Sequence, residues 1–489
     1  MQDGVSISVY GRCIAEGTET QPIRFTRYDD AARWRSLTFI ESDDSRLSHC
    51  IFEYADCEGD HKDYYDNDCN PETPLPNRNY HEAIVALACR LDIEHCAFQN
   101  LPDEGIRGSG DAIAIISDDP EHPGPAMAHI SGCTFIGIGQ GIHTRFSYVL
   151  VEDCYFTGHN GDNDDIDLYG ESDPAPLIRN NVMIDPHHDD MINPTRCSAV
   201  LIGNIIAGSD DHGIVLRDKC SPVLINNLIY DCSSAGIAVQ NQCNALLVNN
   251  TIFDCGRGIR FFDHTGRWGP PYCLYPGSGT ATVVNCIIRN CPTPMALTDS
   301  PYDEDPGSHV TVMHSSVEGG RAALSVSANS TVTWGQGNID VDPLFVDTAN
   351  ADFHLQSEIG RWDPVAQSWQ IDGTTSPCID AGTDYTVSEP NSPWRFDGID
   401  WRMELWPHGA AVNMGTYGGT PEAAMSLDAG PGNAADITAD GLVDLLDIRA
   451  LAEHWLTFGS PIPADVDRNT TVDFCDMAAI AGNWLWQQP

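Results

Sequence analysis

A chain of 489 residues with 71 acidic and 25 basic side chains carries a formal net charge of −46. That balance excludes nucleic acid as a partner, because its recognition needs clustered lysine and arginine. The sequence holds no run of about 18 apolar residues, so it has no candidate membrane-spanning helix.

The acidity reads first as a solvated surface and second as oxygen ligands for divalent cations. In chain order, the text from Met1 (GVSISVYGRCIAEGTETQPIRFT) opens inside a strand. A secretory signal is therefore expected upstream of Met1, with the protein secreted or held at the cell surface. Residues 1–333 read as a succession of short coils. The span from Cys50 to Cys96 covers two of them and carries the polar loop Asp56–Tyr80, too long for an ordinary connection.

The period becomes regular from Cys197 to Arg260. Cys197, Cys220 and Cys243 are 23 residues apart, as are Asn204, Asn227 and Asn250, with Pro174 and Asn181 one period upstream. Each period holds apolar segments of three to five residues, such as Val200-Leu201-Ile202 and Ile214-Val215-Leu216, broken by Gly, Asp and Ser. Such segments are strands rather than helices, and a fixed period of this size marks a solenoid. The Leu-x-x-Leu-x-Leu skeleton of leucine-rich repeats is absent. The expected fold class is all-β: a right-handed single-stranded parallel β-helix of about a dozen coils, followed by a small α-helical unit.

Twelve of the 18 cysteines fall into columns of this register. Cys50, Cys96, Cys133, Cys154 and Cys286 share the column of Asn181, Asn204, Asn227 and Asn250. Cys89, Cys197, Cys220 and Cys243 form a second column, and Cys232, Cys255 and Cys291 a third. Stacked side chains run parallel, which suits small buried thiols better than a disulfide dihedral near 90°. Cys57 and Cys69, flanking the polar loop, are the pair placed to form a bridge.

Acidic groups recur at one edge of successive coils: Asp162, Asp164, Asp165 and Asp167; His187, His188, Asp189 and Asp190; Asp210, Asp211 and His212. Alignment on the next Ile or Met puts Asp164, Asp189 and His212 in one column, with Asp165 and Asp190 beside them and Asp111 further up. Arg145 and Arg217 share another. Like charges about 5 Å apart repel and shift one another's pKa, so the ladder is expected to hold a cation or a substrate. The competing reading is turn chemistry, since Asp and Asn accept left-handed backbone and cap amides.

Two chemistries fit. A β-eliminating lyase needs Ca²⁺ and a base such as His212, Arg217 or Lys219. A glycoside hydrolase needs two carboxylates, which Asp189, Asp190, Asp210 and Asp211 can supply. Asp189, Asp190, Asp210, Asp211, His212 and Arg217 are the candidate catalytic residues, with Asp164, Asp165, Arg145 and Lys219 as substrate contacts. Trp268, Tyr272 and Tyr275 are a candidate sugar-stacking platform.

From Trp334 the period disappears, and residues 334–425 read as an irregular segment covering the last coil. It contains Asp342-Pro343-Leu344-Phe345, Asp352-Phe353-His354-Leu355, Ser376-Pro377-Cys378-Ile379-Asp380-Ala381-Gly382 and Asn413-Met414-Gly415-Thr416-Tyr417-Gly418-Gly419. These strings resemble the closing segment of secreted, pectate-lyase-like β-helix proteins, particularly those of planctomycete-like bacteria. The stretch 426–435 reads as a flexible linker.

Residues 436–489 carry the sharpest motif. Asp436, Thr438, Asp440, Asp444 and Asp447 precede the amphipathic run IRALAEHWL. Twenty-nine residues on, Asp465, Asp467, Asn469, Asp473 and Asp476 precede MAAIAGNWL. Oxygen side chains at places 1, 3, 5, 9 and 12 of such a loop suit Ca²⁺. Thr470 stands where glycine normally supplies a positive φ. Ile448, Leu451, Ala452 and Trp455 are expected to pack on Met477, Ile480, Ala481 and Trp484.

The duplicated loop and helix resembles a type I dockerin, and the resemblance implies Ca²⁺ as cofactor and a cohesin-like partner. Leu445-Leu446 and Phe474-Cys475 stand at the family's partner-reading places, where it has Ser or Thr. Self-association is the other expected contact. The whole reads as a secreted, calcium-binding β-helix protein acting on or binding extracellular polysaccharide, as lyase or hydrolase. The alternative is a non-catalytic, filament-forming surface or matrix protein.

Overall fold

The computed structural model describes residues 5–28, 34–55, 82–101, 111–117, 122, 124–159, 164–184, 189–263, 277–298, 307–385, 401–430, 432–459 and 461–488. Short strands stack coil upon coil into three sheets of 12, 12 and 11 strands. The first sheet runs from Ile7–Val9 to Ser325–Val326, the second from Ile14–Glu16 to Thr331–Trp334, and the third from Ile23–Phe25 to Ser316–Val317. Every pairing within them is parallel, and the register keeps apolar residues in line: Ile178, Leu201, Leu224 and Leu247 face one another in turn. All four are fully buried. In the third sheet Phe25, Phe52, Phe98, Phe135 and Phe156 stack with ring centroids 4.7, 5.1, 4.9 and 4.4 Å apart. Alternating side chains therefore fill a narrow core whose units are identical in spacing.

The turn between the second and third sheets carries the asparagine column. Asn181 Nδ2 donates to Asn204 Oδ1 at 3.0 Å, Asn204 Nδ2 to Asn227 Oδ1 at 2.9 Å, and Asn227 Nδ2 to Asn250 Oδ1 at 2.9 Å. Each amide also donates to a carbonyl of the preceding coil, as Asn227 does to Leu201 O at 3.0 Å. Its oxygen accepts the backbone N–H of the coil before it, as from Asn204 at 3.1 Å. Cysteines extend the same column: the backbone N–H of Cys50 points at Cys96 Sγ, and that of Cys96 at Cys133 Sγ, both at 3.4 Å. The residue before each column member is left-handed, with Asn180 at φ 55°, Asn226 at 53° and Asn249 at 54°. Asparagine tolerates this conformation and bends the chain sharply into the next strand.

All 15 described cysteines are free thiols, and 13 of them are buried. Cys57, Cys69 and the loop Asp56–Tyr80 lie outside the described residues, as do Trp268, Tyr272 and Tyr275.

Residues 334–425 do more than follow the last coil: they fold back along the side of the solenoid. Asn226 Nδ2 donates to Thr416 O at 2.5 Å and Gly418 O at 2.9 Å; Asn249 Nδ2 donates to Asn413 O at 2.9 Å; Asn285 Nδ2 donates to Thr383 O at 2.8 Å. Gly418 has no room for a Cβ, which would run into Asn413 O and Asn249 Nδ2. Val412 covers Val223, Ile225 and Val248, while Met414 and Cys378 cover Ile287. The reason is chemical. The outward residues Val223, Ile225, Val248 and Ile287 of these coils are apolar and are covered by this segment.

Helices α1 (Leu445–Glu453) and α2 (Phe474–Gly482) close the chain. Their core is Ala435, Val443, Leu451, Ala464, Val472 and Ile480, with Ile448 packed against it. The expected helix-to-helix face is thus too broad. Ala452 and Ala481 are exposed, and Trp455, Met477 and Trp484 are 37%, 42% and 41% exposed. Nine-residue helices present only one turn each to the shared core, which Leu451 and Ile480 fill. Thr470 has the left-handed backbone expected at its place, with φ 71°.

The Asn227→Ala variant strips one turn of four hydrogen bonds and should lose about 3 kcal/mol in denaturant unfolding. Asn227→Cys should lose clearly less, because a thiol already serves this column elsewhere.

Candidate functional site

Outward side chains of the first sheet form two rows. One runs His143, Asp167, Asn193; the other Arg145, Tyr169, Thr195, Arg217. The inward row Ile142, Ile166, Ile192, Ile214 fixes their register. Two places before each inward isoleucine, where the chain enters the strand, stand Asp164, Asp190 and His212. The alignment on Met191 is one place out: Asp190, not Asp189, shares the row of Asp164 and His212. Met191 occupies the row of Asp165 and Gly213, because Ile192 is the residue that enters the core beside Ile166.

Asp190 is the centre of the cluster and is wholly buried. Its Oδ1 accepts from His212 Nδ1 at 2.9 Å and from the His212 backbone N–H at 3.2 Å; its Oδ2 accepts from Arg217 Nη2 at 2.9 Å. The same His212 nitrogen lies 3.0 Å from Asp211 Oδ1. On the other side Asn193 Nδ2 donates to Asp164 Oδ2 at 2.8 Å, and His143 Nδ1 lies 3.1 Å from Asp167 Oδ2. Arg145 lies over the Tyr169 ring at 4.8 Å, and Arg196 donates to the Tyr169 hydroxyl at 2.8 Å. Two groups offer ligand atoms within 4.8 Å of one another: Asp164, Asp189 and Asp190, and Asp190, Asp211 and His212. Either group could hold a metal ion.

The environment separates these groups electrostatically. Burial, then the charges of Asp190 and Asp167, push the Asp164 carboxyl well above its ordinary range. Burial acts the same way on Asp211, but the His212 hydrogen bond and charge outweigh it and hold that carboxyl low. For His212, burial disfavours the imidazolium, yet hydrogen bonds to Asp190 and Asp211 prevail and hold its pKa up at about 9.

Other expected contacts lie elsewhere. Asp165 is wholly buried and turned inward against His159 in an ion pair, so it faces no substrate. Its row is the one that Met191 and Gly213 continue, on the core side of the turn. Asp210 is exposed, and it is not among the gathered carboxylates. Lys219 is exposed in a left-handed turn with Asp218, both at φ 60°. Asp111 Oδ1 accepts the Gln140 backbone N–H at 2.9 Å, as turn chemistry predicts. Asp162, His187 and His188 lie outside the described residues. His143, Asn193, Tyr169 and Arg196 were not anticipated. The signal for the first two was present, one place after Ile142 and Ile192.

The folded pKa of His212 stands above the ordinary value of about 6.5. The stabilisation it contributes is therefore complete below that pH and is lost as pH rises through about 9. The stability difference between the native chain and His212→Gln should shrink between pH 6 and pH 9.5 in denaturant titrations.

Against known proteins, residues 124–268 and 164–339 match the family profile described as "Right handed beta helix region". No curated protein matches the chain. Among solved structures it is similar to a PL6 family alginate lyase, AlyGC, at 15% identity and a TM-score of 0.40, covering 79% of this chain and 56% of that one. It is also similar to the catalytic domain of a GH87 alpha-1,3-glucanase, at 10% identity, a TM-score of 0.39 and coverage of 68% and 62%. The periplasmic alginate epimerase AlgG gives 11%, 0.39, and coverage of 68% and 76%. The chain thus spans little more than half the length of the first of these. The three parallel sheets and the matched profile together make it a right-handed parallel β-helix.

Proposed function

We propose that this chain is a secreted glycoside hydrolase of extracellular polysaccharide, with Asp164 as proton donor and Asp211 as the ionised carboxylate. The observation that carries this reading is the unequal setting of two carboxyl groups that both gather with Asp190: Asp164 beside the Asn193 amide, Asp211 beside His212. Burial with Asp190 and Asp167 raises the Asp164 carboxyl, while His212 holds that of Asp211 low. Glycoside hydrolysis needs such a pair, one carboxyl protonated and one ionised, flanking the scissile bond from opposite sides. Asp190 holds His212 and Arg217 in place. A lyase is less well supported, because two of its candidate bases, His212 and Arg217, are held towards their protonated forms. His212 titrates at about 9, and Arg217 is raised by Asp190, Asp164 and Asp189 in spite of burial. Asp164→Asn and Asp211→Asn should each lower reducing-sugar release across a glycan panel by at least about 100-fold, with folding intact. An unsaturated uronate product would instead identify a lyase. Silence on every glycan, with filaments in electron micrographs, would identify a scaffold.

The C-terminal unit we read as a dockerin-like calcium module. In the second loop Asp465, Asp467 and Asp476 offer oxygens within 4.8 Å of one another. Asp465 is 5% exposed, and its Oδ1 has no hydrogen-bond partner among the described residues. An orphaned buried carboxylate oxygen in an all-oxygen donor set fits Ca²⁺. The first loop is less complete: the Thr438 hydroxyl donates to Asp447 Oδ1 at 3.2 Å. Asp444 and Asp473 cap α1 and α2, accepting from Leu446 and Cys475 backbone N–H at 2.7 and 2.6 Å. Leu445, Leu446 and Phe474, which are 70%, 50% and 75% exposed, are the surface for a cohesin-like partner or a second copy. Calorimetric Ca²⁺ titration of the full chain should show a site that Asp465→Ala abolishes and Asp440→Ala spares.

A further inference from the structure

The calcium unit touches its own chain through the second loop. Arg468 sits at the fourth place of that loop, between Asp467 and Asn469, and its φ of 59° is left-handed. Its Nη1 lies 3.0 Å from Met425 Sδ, and its guanidinium is 6.0 Å from the Trp369 ring, both in the segment that clamps the solenoid. Two glycines close the seam. A Cβ on Gly459 would stand 3.1 Å from Gln367 Oε1, and one on Gly432 would stand 2.6 Å from Trp406 Cδ1. Between the two sides lies a cavity of about 60 Å³, lined by Glu404, Trp406 and Arg402 from one side and Asp436, Asp465 and Arg468 from the other. Three polar atoms of that lining have no hydrogen-bond partner among the described residues: Glu404 Oε2, Trp406 Nε1 and Asp465 Oδ1. The seam is therefore polar and incompletely satisfied, unlike the dry core of the solenoid.

We infer that Ca²⁺ in the second loop controls whether the C-terminal unit stays docked on residues 360–385 and 401–425, with Arg468 as the coupling side chain. This rests on the calcium reading above. A cation gathers Asp465, Asp467 and Asp476, which otherwise repel one another, and so fixes the loop. Fixing the loop holds Arg468 in its left-handed backbone and aims it at Met425 and Trp369. Without the cation the carboxylates spread, the arginine loses its aim and the seam loosens. Coupling of this kind is reciprocal: docking on the clamp strengthens Ca²⁺ binding, so the unit binds more tightly in place than its own ligands dictate.

The test uses the full chain. Calorimetric Ca²⁺ titration of Arg468→Ala and of Trp369→Ala, both of which keep every loop ligand, should show second-loop affinity reduced at least about fivefold. The double variant should be no weaker than the worse single one, because both remove the same contact. Proteolysis of the linker between residues 427 and 434 should accelerate when a chelator is added to the native chain, reaching the rate of Arg468→Ala in calcium. Native affinity in both single variants, or linker cleavage indifferent to chelator, overturns the coupling while leaving the calcium site standing. A native chain that binds no Ca²⁺ at all overturns both.

Discussion

The constraint on which everything depends is the coil-to-coil register. Parallel pairing fixes a strand against its equivalent one turn away, and a slip of one place would turn every inward isoleucine to solvent and every outward aspartate to the core. The asparagine column holds that register where strands cannot, at the bend between the second and third sheets. Asn204, Asn227 and Asn250 each tie the amide of one coil to the backbone of another. Register then sets position. Asp164, Asp190 and His212 meet because each precedes its own core isoleucine by two places, though they are 26 and 22 residues apart in the chain.

This is why so much of the fold was legible. A solenoid converts sequence period directly into contact, so the columns of Asn204, Cys220 and Cys255 could be read as neighbours. The errors arose where the period wavers. Met191 and Ile192 are two apolar residues in succession, both buried, and only packing decides that Ile192 takes the place beside Ile166. Asp165 looked like Asp164 in the text, yet alternation sends adjacent side chains to opposite sides. The path of residues 334–425 was illegible for a different reason: its contacts with Asn226, Asn249 and Asn285 are long-range and irregular, made by backbone carbonyls that carry no sequence signature. The helix face was overestimated because the period of α1 and α2 continues past the single turn that is buried.

The electrostatics of the site follow from crowding on one edge. In a chain of net charge −46, cations are scarce, and the protein places Arg145, Arg196 and Arg217 along a single strip beside its densest carboxylates. Asp190 takes a charge-assisted hydrogen bond on each oxygen, from His212 and from Arg217. Its neighbours divide the remaining field unequally. Asp164, offered only an amide, is pushed towards its neutral form; Asp211, offered an imidazolium, stays charged. The asymmetry lies in which side chain each carboxyl meets.

The lateral clamp gives the solenoid a direction. Coils from Asn226 to Asn285 are held both by their neighbours and by Thr416, Gly418, Asn413 and Thr383. Among the described residues, the coils before Asn180 have no such brace: Ile136, Tyr155 and Ile184 on the same outer face remain 44%, 39% and 38% exposed. In a structure whose units interact only with adjacent units, cooperativity is local. Unravelling is therefore expected to begin among coils without the brace and to stall at the braced ones. The Asp190 cluster stands close to that halting point.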